Sequence, residues 1–231
     1  MQFPTLSNRL MACCNLIKPG SRVADIGCDH GYLGIYLLQM GLAESVIAAD
    51  INRQPLDSAV QNAHKFGVAE KMSFYLSDGA KNIPRDFDTL VCAGMGADTM
   101  ISILENAPWL KSDKYRLILQ CQSRRPELRR YLYAQGYCIC AETLAQDGKF
   151  IYPIMEVTYC PSTALTDGGY HISPALLKSG SPLLSAFYQR VLDGISTTVK
   201  GLSRSGGEKL AHYEAVYKQL LEMEDKIHGN S

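Results

Sequence analysis

The chain has 231 residues, 46% of them hydrophobic, and its 23 Lys+Arg balance its 23 Asp+Glu. This hydrophobic fraction is enough for a packed core and excludes a globally disordered chain. A net charge of zero argues against a uniformly basic nucleic-acid coat protein, although it leaves room for a local basic patch. No apolar run approaches the roughly 20 residues that span a bilayer, and the N-terminus lacks the pattern of a signal peptide. We therefore expect a cytoplasmic protein without a membrane segment.

The cysteine pattern gives no sign of a metal site. The eight cysteines include no C-x-x-C pair, and none of the five histidines follows a cysteine pair at a zinc-like interval. Such spacing favours reduced, mostly buried thiols. We expect no metal and no structural disulfide.

The first 160 residues alternate between strand-like and helix-like segments. After a short helix within 5–17, the predicted strands are SRVADI, SVIAAD, MSFYLSDG, DTLVCAG and YRLILQC, separated by helical segments of 10–15 residues. Two further strands, YCICAETLAQ and FIYPIMEVTY, flank the hairpin turn DGK. This order predicts a doubly wound, Rossmann-like α/β domain over residues 1–160, whose seven-stranded sheet is parallel except for one strand of the final hairpin.

Residues 161–231 have a different character. The stretch CPSTALTDGGYHISP is typical of a linker, and two helical segments follow it. Their apolar residues recur every three or four positions, and SRSGG breaks the helix between them. The first set is Leu184, Phe187, Val191, Ile195, Val199 and Leu202, and the second is Leu210, Tyr213, Tyr217, Leu220 and Ile227. We predict an antiparallel helical hairpin with coiled-coil-like packing.

Acidic residues mark the ends of the first three strands. Asp25 and Asp29 flank Gly27, Asp50 ends the second strand, and Asp78 ends the third. Carboxyl ends of parallel strands meet at the ligand-binding edge of such a sheet. Carboxylates there suit a dinucleotide pyrophosphate poorly, because it needs backbone N–H groups and a helix dipole. They suit a cation that carries ribose hydroxyls and an exocyclic amine, and S-adenosylmethionine has these features.

Roles follow from position, although an Asp at a strand end also serves in turns. Glycines at 27 and 31 allow close backbone approach to the methionine portion. Asp25 or Asp29 faces the ammonium, Asp50 accepts hydrogen bonds from the ribose, and Asp78 accepts one from the adenine amine. The predicted cofactor-binding set is Asp25, Gly27, Cys28, Asp29, Gly31, Asp50, Ile51, Ser77, Asp78, Gly79 and Ala93.

The run AGMGA ends the fourth strand, where the methyl acceptor is expected. Its glycines either bring the backbone close to a flat substrate or form a plain βα turn. The chain lacks the Asn/Asp-Pro-Pro-aromatic stretch of enzymes that methylate exocyclic amines. Cys92 and Cys121 lie in apolar strands, so we predict that they are buried thiols rather than nucleophiles. The predicted acceptor-side residues are Asp29, His30, Gly94, Met95 and Gly96, with His30 equally able to serve as a local donor.

Residues 111–130 are rich in Lys and Arg. Four of the arginines follow the fifth strand directly, at the same edge of the sheet as the predicted site. Arg binds phosphates through bidentate contacts, so a basic rim favours a nucleic-acid substrate, with a solvated helix face as the alternative. The predicted RNA-binding residues are Arg124, Arg125, Arg129 and Arg130, and on the helical hairpin Arg190, Lys200 and Arg204.

The sequence resembles a known family. The runs LSNRL, VADIGCDHGYLGIYL, AADINRQPLDSA, VCAGMGA and DGKFIYPIMEV are similar to TrmK, the bacterial tRNA methyltransferases that act on N1 of adenine 22. The resemblance implies a class I methyltransferase fold, S-adenosylmethionine as cofactor and tRNA as partner. It also implies that the aspartates named above hold the cofactor while His30 and the residues around Met95 border the adenine. Ala97 and Gln120-Cys121-Gln122 depart from the family pattern on the acceptor side.

The sequence leaves three other functions open. One is a methyltransferase of the same fold for a small molecule or a protein, and another is a degenerate methyltransferase that binds RNA without catalysis. The third is a nicotinamide-dependent oxidoreductase, whose G-x-G-x-x-G spacing differs from Gly27, Gly31 and Gly34. We expect a monomer or weak dimer.

Overall fold

A single seven-stranded sheet forms the centre of the protein. The computed structural model describes residues 3–161, 163–204 and 206–228, apart from the side chains of Lys226 and His228. The strands are β1 (Ser21–Ile26), β2 (Ala43–Asp50), β3 (Met72–Leu76), β4 (Thr89–Met95), β5 (Arg116–Cys121), β6 (Tyr137–Asp147) and β7 (Phe150–Tyr159). The predicted strands are thus all present.

Helices connect the strands and follow the last of them. Those of the first part are α1 (Asn8–Cys14), α2 (Tyr32–Gln39), α3 (Arg53–Lys65), α4 (Ala97–Glu105) and α5 (Arg125–Ala134). The second part contains α6 (Asp167–His171), α7 (Pro174–Leu177), α8 (Leu184–Leu202), α9 (Glu208–Leu221) and α10 (Glu224–His228). None of the helices in the described part of the chain has the length and hydropathy of a bilayer-spanning segment.

The strand order β3-β2-β1-β4-β5-β7-β6 creates a switch point beside β1. β1 pairs in parallel with both β2 and β4, and β7 runs in the direction opposite to the other six strands of the sheet. The chain that follows β1 crosses toward β2, and the chain that follows β4 crosses toward β5, in the opposite direction along the sheet. This divergence opens a crevice at the carboxyl ends of β1 and β4. The predicted Rossmann-like sheet is confirmed.

Apolar side chains fill both faces of the sheet, as a parallel sheet covered on both sides requires. On one face, Val23, Val91 and Ile118 pack with α1, α2 and α3. On the other face, Leu90 and Leu117 pack with α4 and α5. The central residues of these strands are buried, and polar residues lie near the strand ends at the crevice.

The C-terminal helices form the predicted antiparallel hairpin. The Tyr188 hydroxyl near the start of α8 donates to the Leu220 carbonyl near the end of α9, at 3.0 Å. The turn between them contains Gly206 and Gly207, while Ser205 of SRSGG lies outside the described residues. The hairpin packs as a third apolar cluster on the β6–β7 hairpin of the sheet.

The buried side of α8 differs from the predicted stripe. Its buried residues are Leu184, Phe187, Tyr188, Leu192 and Ile195, whereas Val191 and Val199 are half-buried. The stripe is rotated because α8 contacts Leu144 and Ile151 of the sheet as well as α9. A pattern drawn for two helices alone misses this second contact.

The segment expected to be a linker contains two short capped helices. The side chains of Thr166 and Ser173 accept hydrogen bonds from the backbone N–H groups of Gly169 and Leu176, and Tyr170, Ile172 and Leu176 are buried. Side-chain capping satisfies helix N-termini that would otherwise lack partners. This segment therefore packs against α5 and α9 rather than spanning freely.

The assignment of Arg129 to RNA binding is wrong. Arg129 is fully buried, its guanidinium pairs with the buried Glu142 of β6, and it donates to the Tyr170 carbonyl at 3.0 Å. Glu142 also accepts from the Ser173 hydroxyl. The side chain turns inward because its carboxylate partner lies on β6, and the pair joins α5, the sheet and the segment before α7.

We predict that Glu142→Gln lowers the free energy of unfolding by about 3–5 kcal/mol, because it leaves the Arg129 charge buried and uncompensated. Chemical denaturation followed by circular dichroism measures this loss. The control is Arg130→Ala, which removes an exposed ion pair with Asp167 and is expected to cost under about 1 kcal/mol. Equal small losses in both variants would contradict the structural role of the buried pair.

Candidate active site

The loop from β1 to α2 brings the backbone to the floor of the crevice. Gly27 and Cys28 donate their N–H groups to the Ala49 carbonyl at 2.8 and 3.0 Å, which fixes the loop against β2. Gly27 has φ of 71°, and a Cβ built there would lie 2.3 Å from Cε of Met95. A side chain at 27 would fill the crevice, so the glycine keeps it open.

Gly31 has a packing role in the structure, beside the predicted role at the ligand. It has φ of 72° and precedes α2, and a Cβ there would lie 2.9 Å from Cβ of Ala59 in α3. The close approach thus serves the packing of α2 on α3. The structure explains this glycine without a ligand.

Two carboxyl groups are buried side by side at the ends of β1 and β2. Asp25 is only 4% exposed, and its pKa is raised to about 7 by burial and then by the charges of Asp50 and Asp29. Asp50 accepts hydrogen bonds from the N–H groups of Asp29 (3.3 Å) and Asn52 (2.8 Å). Since negative charge accumulates in a site of low dielectric constant, a bound cation would be stabilised there.

Asp29 lies beside this pair but faces the solvent. It is one of two non-glycine residues with positive φ among the described residues, at 51°. Its carboxylate lies 3.5 Å from Nε2 of His30, and both side chains are largely exposed. Asp29 and His30 can therefore meet a second ligand that arrives from the solvent.

Two cavities adjoin at Gly27 and Met95. The first has a volume of about 260 Å³ and is lined by Arg9, Leu10, Asp25, Gly27, Cys28, Asp29, His30, Tyr32, Leu33, Ala93, Gly94 and Met95. The second has a volume of about 370 Å³ and is lined by Ile26, Gly27, Asp50, Ile51, Ser77, Asp78, Gly79, Met95, Asp98, Thr99, Ser102 and Ile103. Most of the predicted cofactor and acceptor residues thus line these two adjoining cavities.

In the second cavity, Ser77 holds the loop after β3. Its hydroxyl donates to the Gly79 carbonyl at 2.8 Å and accepts from the N–H of Asn82 at 3.0 Å. Asp78 is exposed and pairs with Lys81, so its carboxylate is held near the mouth. Asp50 and Asp78 thus present carboxylates from two neighbouring strand ends.

The end of β5 holds the AGMG loop in place. The Gln120 side chain is fully buried, and its Oε1 accepts from the N–H of Gly94 (2.9 Å) and from Nη1 of Arg9 (3.2 Å). The Met95 carbonyl accepts from the N–H of Gln122 at 2.8 Å. Ala97, which departs from the family pattern, is buried in the core at the start of α4.

Sequence reasoning missed Arg9, and it named Gln120 only as a departure from the family pattern, without its role in holding the AGMG loop. They lie 111 residues apart in the chain and meet only in the fold. The one available signal was Gln120 itself, a polar residue inside the apolar strand LILQC. Nothing local marked Arg9.

The predicted basic residues lie at several different places. Arg124 makes two contacts of 2.8 Å with the carboxylate of Asp98, and Arg130 pairs with Asp167. Arg125 is half-buried 5.2 Å from the ring of Phe187, and burial lowers its pKa. The hairpin residues Arg190, Lys200 and Arg204 are exposed.

Cys92 and Cys121 are poorly suited to act as nucleophiles. Burial raises the pKa of the Cys92 and Cys121 thiols, which keeps them protonated at neutral pH. All eight cysteines are free, and five of them are buried. Among the described residues, no cluster of three or more His, Cys, Asp or Glu side chains is arranged to hold a metal ion.

A family model described as a methyltransferase domain matches residues 6–155. The chain belongs to the methyltransferase-domain family. It is 27% identical over 221 residues to the tRNA (adenine(22)-N(1))-methyltransferase of Bacillus subtilis, covering 95% of this chain and 87% of that protein. The resemblance to the TrmK family is thereby confirmed.

Two solved structures match more than nine-tenths of the chain. A protein of the NADB-Rossmann superfamily from Streptococcus agalactiae is 28% identical with a TM-score of 0.85, covering 96% of this chain and 98% of that one. Sp1610 of Streptococcus pneumoniae, in complex with S-adenosyl-L-methionine, is 27% identical with a TM-score of 0.80, covering 92% and 100%. The C-terminal helices are thus included in the match.

Proposed function

We propose that the protein transfers the methyl group of S-adenosylmethionine to N1 of an adenine in tRNA, at position 22. The observation that carries this proposal is the pair of cavities that meet at Gly27 and Met95. The first is lined by Asp25, Asp29 and the AGMG loop, and the second by Asp50 and Asp78. The name of the Bacillus subtilis relative supplies the nucleotide and its position.

The residues present fit S-adenosylmethionine. Its sulfonium and ammonium charges match the buried Asp25 and its neighbours, and its ribose diol matches the Asp50 carboxylate at the end of β2. The missing side chain at Gly27 leaves the room that the ligand needs. Asp78, in the second cavity, is suited to the adenine amine. When bound, the cofactor supplies a methyl group activated by positively charged sulfur.

The chain's own residues have little proton transfer to perform. Adenine N1 carries a free lone pair at neutral pH, so a general base is not required to expose it. Asp29 and His30 are exposed at the first cavity, where Asp29 can accept a hydrogen bond from the adenine N6 amine and stabilise the cationic product. The main contribution is to hold N1 at near-attack distance, which can supply effective molarities of about 10⁵ M or more.

The tRNA must also be bound outside the crevice. Exposing an adenine that is engaged in the folded RNA costs a few kcal/mol, and additional protein–RNA contacts have to offset this cost. Lys200 and Arg204 on α8 and the turn after it are exposed, and no ion pair involves them within the described part of the chain. They are therefore better suited to phosphates than Arg124 and Arg130, which already pair with acids.

The proposal is tested by nucleoside mass spectrometry of unmodified tRNA transcripts after incubation with the protein and S-adenosylmethionine. We expect 1-methyladenosine to appear, and to vanish when the adenine at position 22 is replaced. Methylation that survives this replacement would overturn the position. Absence of any methylated nucleoside, with cofactor binding intact by calorimetry, would overturn tRNA as the substrate.

A second prediction concerns the glycine that opens the crevice. Gly27→Ala adds a methyl group where the two cavities meet and displaces the flexible end of the Met95 side chain. The space it takes from the ligand should weaken S-adenosylmethionine binding by at least about tenfold, or about 1.4 kcal/mol. Gly41→Ala is the matched control, since Gly41 has φ of 66° with open space around its Cβ position. Isothermal titration calorimetry measures the affinity of both variants for S-adenosylmethionine. Equal affinity loss in both would attribute the effect to backbone strain alone.

A further inference from the structure

The tip of the β6–β7 hairpin is connected to the rim of the first cavity by residues of α1. Asn8 donates its side-chain amide to the Gln146 carbonyl at 2.8 Å, and Nε of Arg9 lies 3.8 Å from the Asp147 carboxylate. Arg9 itself lines the cavity and contacts Gln120, which holds Gly94. A chain of contacts thus connects the AGMG loop to the hairpin tip.

Phe150 is exposed at this tip. It pairs directly with Asp147 across the hairpin, so both side chains stand on the same face of the sheet. Its ring is 53% exposed, although it is large and apolar. Single exposed apolar residues are common and need no explanation. Phe150 differs from such a residue because aromatic rings and a cation lie around it.

Other aromatic and cationic groups accompany this ring. Nζ of Lys149 lies 5.3 Å from the Phe150 ring centroid, and the Tyr152 ring lies 6.0 Å away on the same strand. In the first cavity, the rings of His30 and Tyr32 are 5.8 Å apart, and Tyr32 is also partly exposed. Exposed aromatic rings interleaved with cations are the features that bind single-stranded nucleic acid, by base stacking and phosphate contact.

The tip is also held in a defined position. Gly148 has φ of 57°, which allows the tight turn, and Nη1 of Arg190 donates to the Lys149 carbonyl at 2.7 Å. Arg190 therefore fixes the turn against α8. The ring at 150 is presented by a braced hairpin rather than by a loose loop, so stacking on it would cost little ordering.

We propose that Phe150, with Tyr152 beside it, is a stacking platform for an unpaired nucleotide of the RNA that flanks the target adenine, and that Lys149 contacts its phosphate. This inference rests on the proposed function and names a binding subsite for the same substrate. The cation beside the ring favours a nucleotide over an apolar protein surface. Stacking at the rim would hold the neighbouring base aside while the target enters the cavity.

The test compares Phe150→Ala, Phe150→Trp and the control Met40→Ala in the full-length protein. Met40 is 49% exposed and follows α2 at the opposite end of the sheet. We expect Phe150→Ala to weaken tRNA binding in a filter assay at least about fivefold, while Phe150→Trp retains it, because base–aromatic stacking tolerates any large ring. Affinity for S-adenosylmethionine and the unfolding temperature should stay unchanged in all three.

Unchanged tRNA binding in Phe150→Ala, or loss of the same size in Met40→Ala, would overturn the platform. Loss of cofactor affinity or thermal stability in Phe150→Ala would overturn it in favour of a structural role. If the unaltered protein binds tRNA but produces no 1-methyladenosine, the proposed function fails separately, and the stacking result still tells whether the rim binds RNA.

Discussion

Burial of the Asp25 carboxyl at the end of β1 is the constraint on which the site depends. A carboxylate in this position is unfavourable without a counter-charge, and its neighbours Asp50 and Asp29 add negative charge. The core on both faces of β1 makes the burial unavoidable, since Val23, Ala24 and Ile26 are all buried. The fold therefore holds an acidic group where a cationic ligand can neutralise it. The glycine turn at 27 gives such a ligand access.

The rest of the molecule supports this edge of the sheet from both sides. Gln120 fixes the AGMG loop, and Arg9 connects that loop to the tip of the β6–β7 hairpin. The same hairpin carries the C-terminal helices on its other face, through Leu144 and Ile151. The first cavity, the braced tip and the helical hairpin are thus joined by one series of contacts, along which we propose that the RNA binds.

Much of this could be predicted from the sequence because it depends on local patterns. Buried strands end in aspartates, helices begin after glycines, and the resemblance covers these segments, so the sheet and most of the crevice were foreseen. Interactions between distant segments were not. Arg129 looks like its exposed neighbour Arg130, and only the fold shows that Glu142 of β6 lies opposite it. Arg9 and Gln120 likewise carry no local signal of their contact. The buried side of α8 was shifted for the same reason.

The role of Asp25 as the counter-charge can be measured as the number of protons released when S-adenosylmethionine binds, obtained by calorimetry in buffers of different ionisation enthalpy. The pKa of Asp25 is raised from 3.8 to about 7 in the free protein, so the group is mostly protonated below neutrality. A cation favours the carboxylate, and binding at about pH 6 should therefore release nearly one proton. Affinity should rise with pH and level off above about pH 7, and Asp25→Asn should abolish the release. Binding without proton release at about pH 6 would contradict the view that the buried carboxyl of β1 is the counter-charge of the ligand.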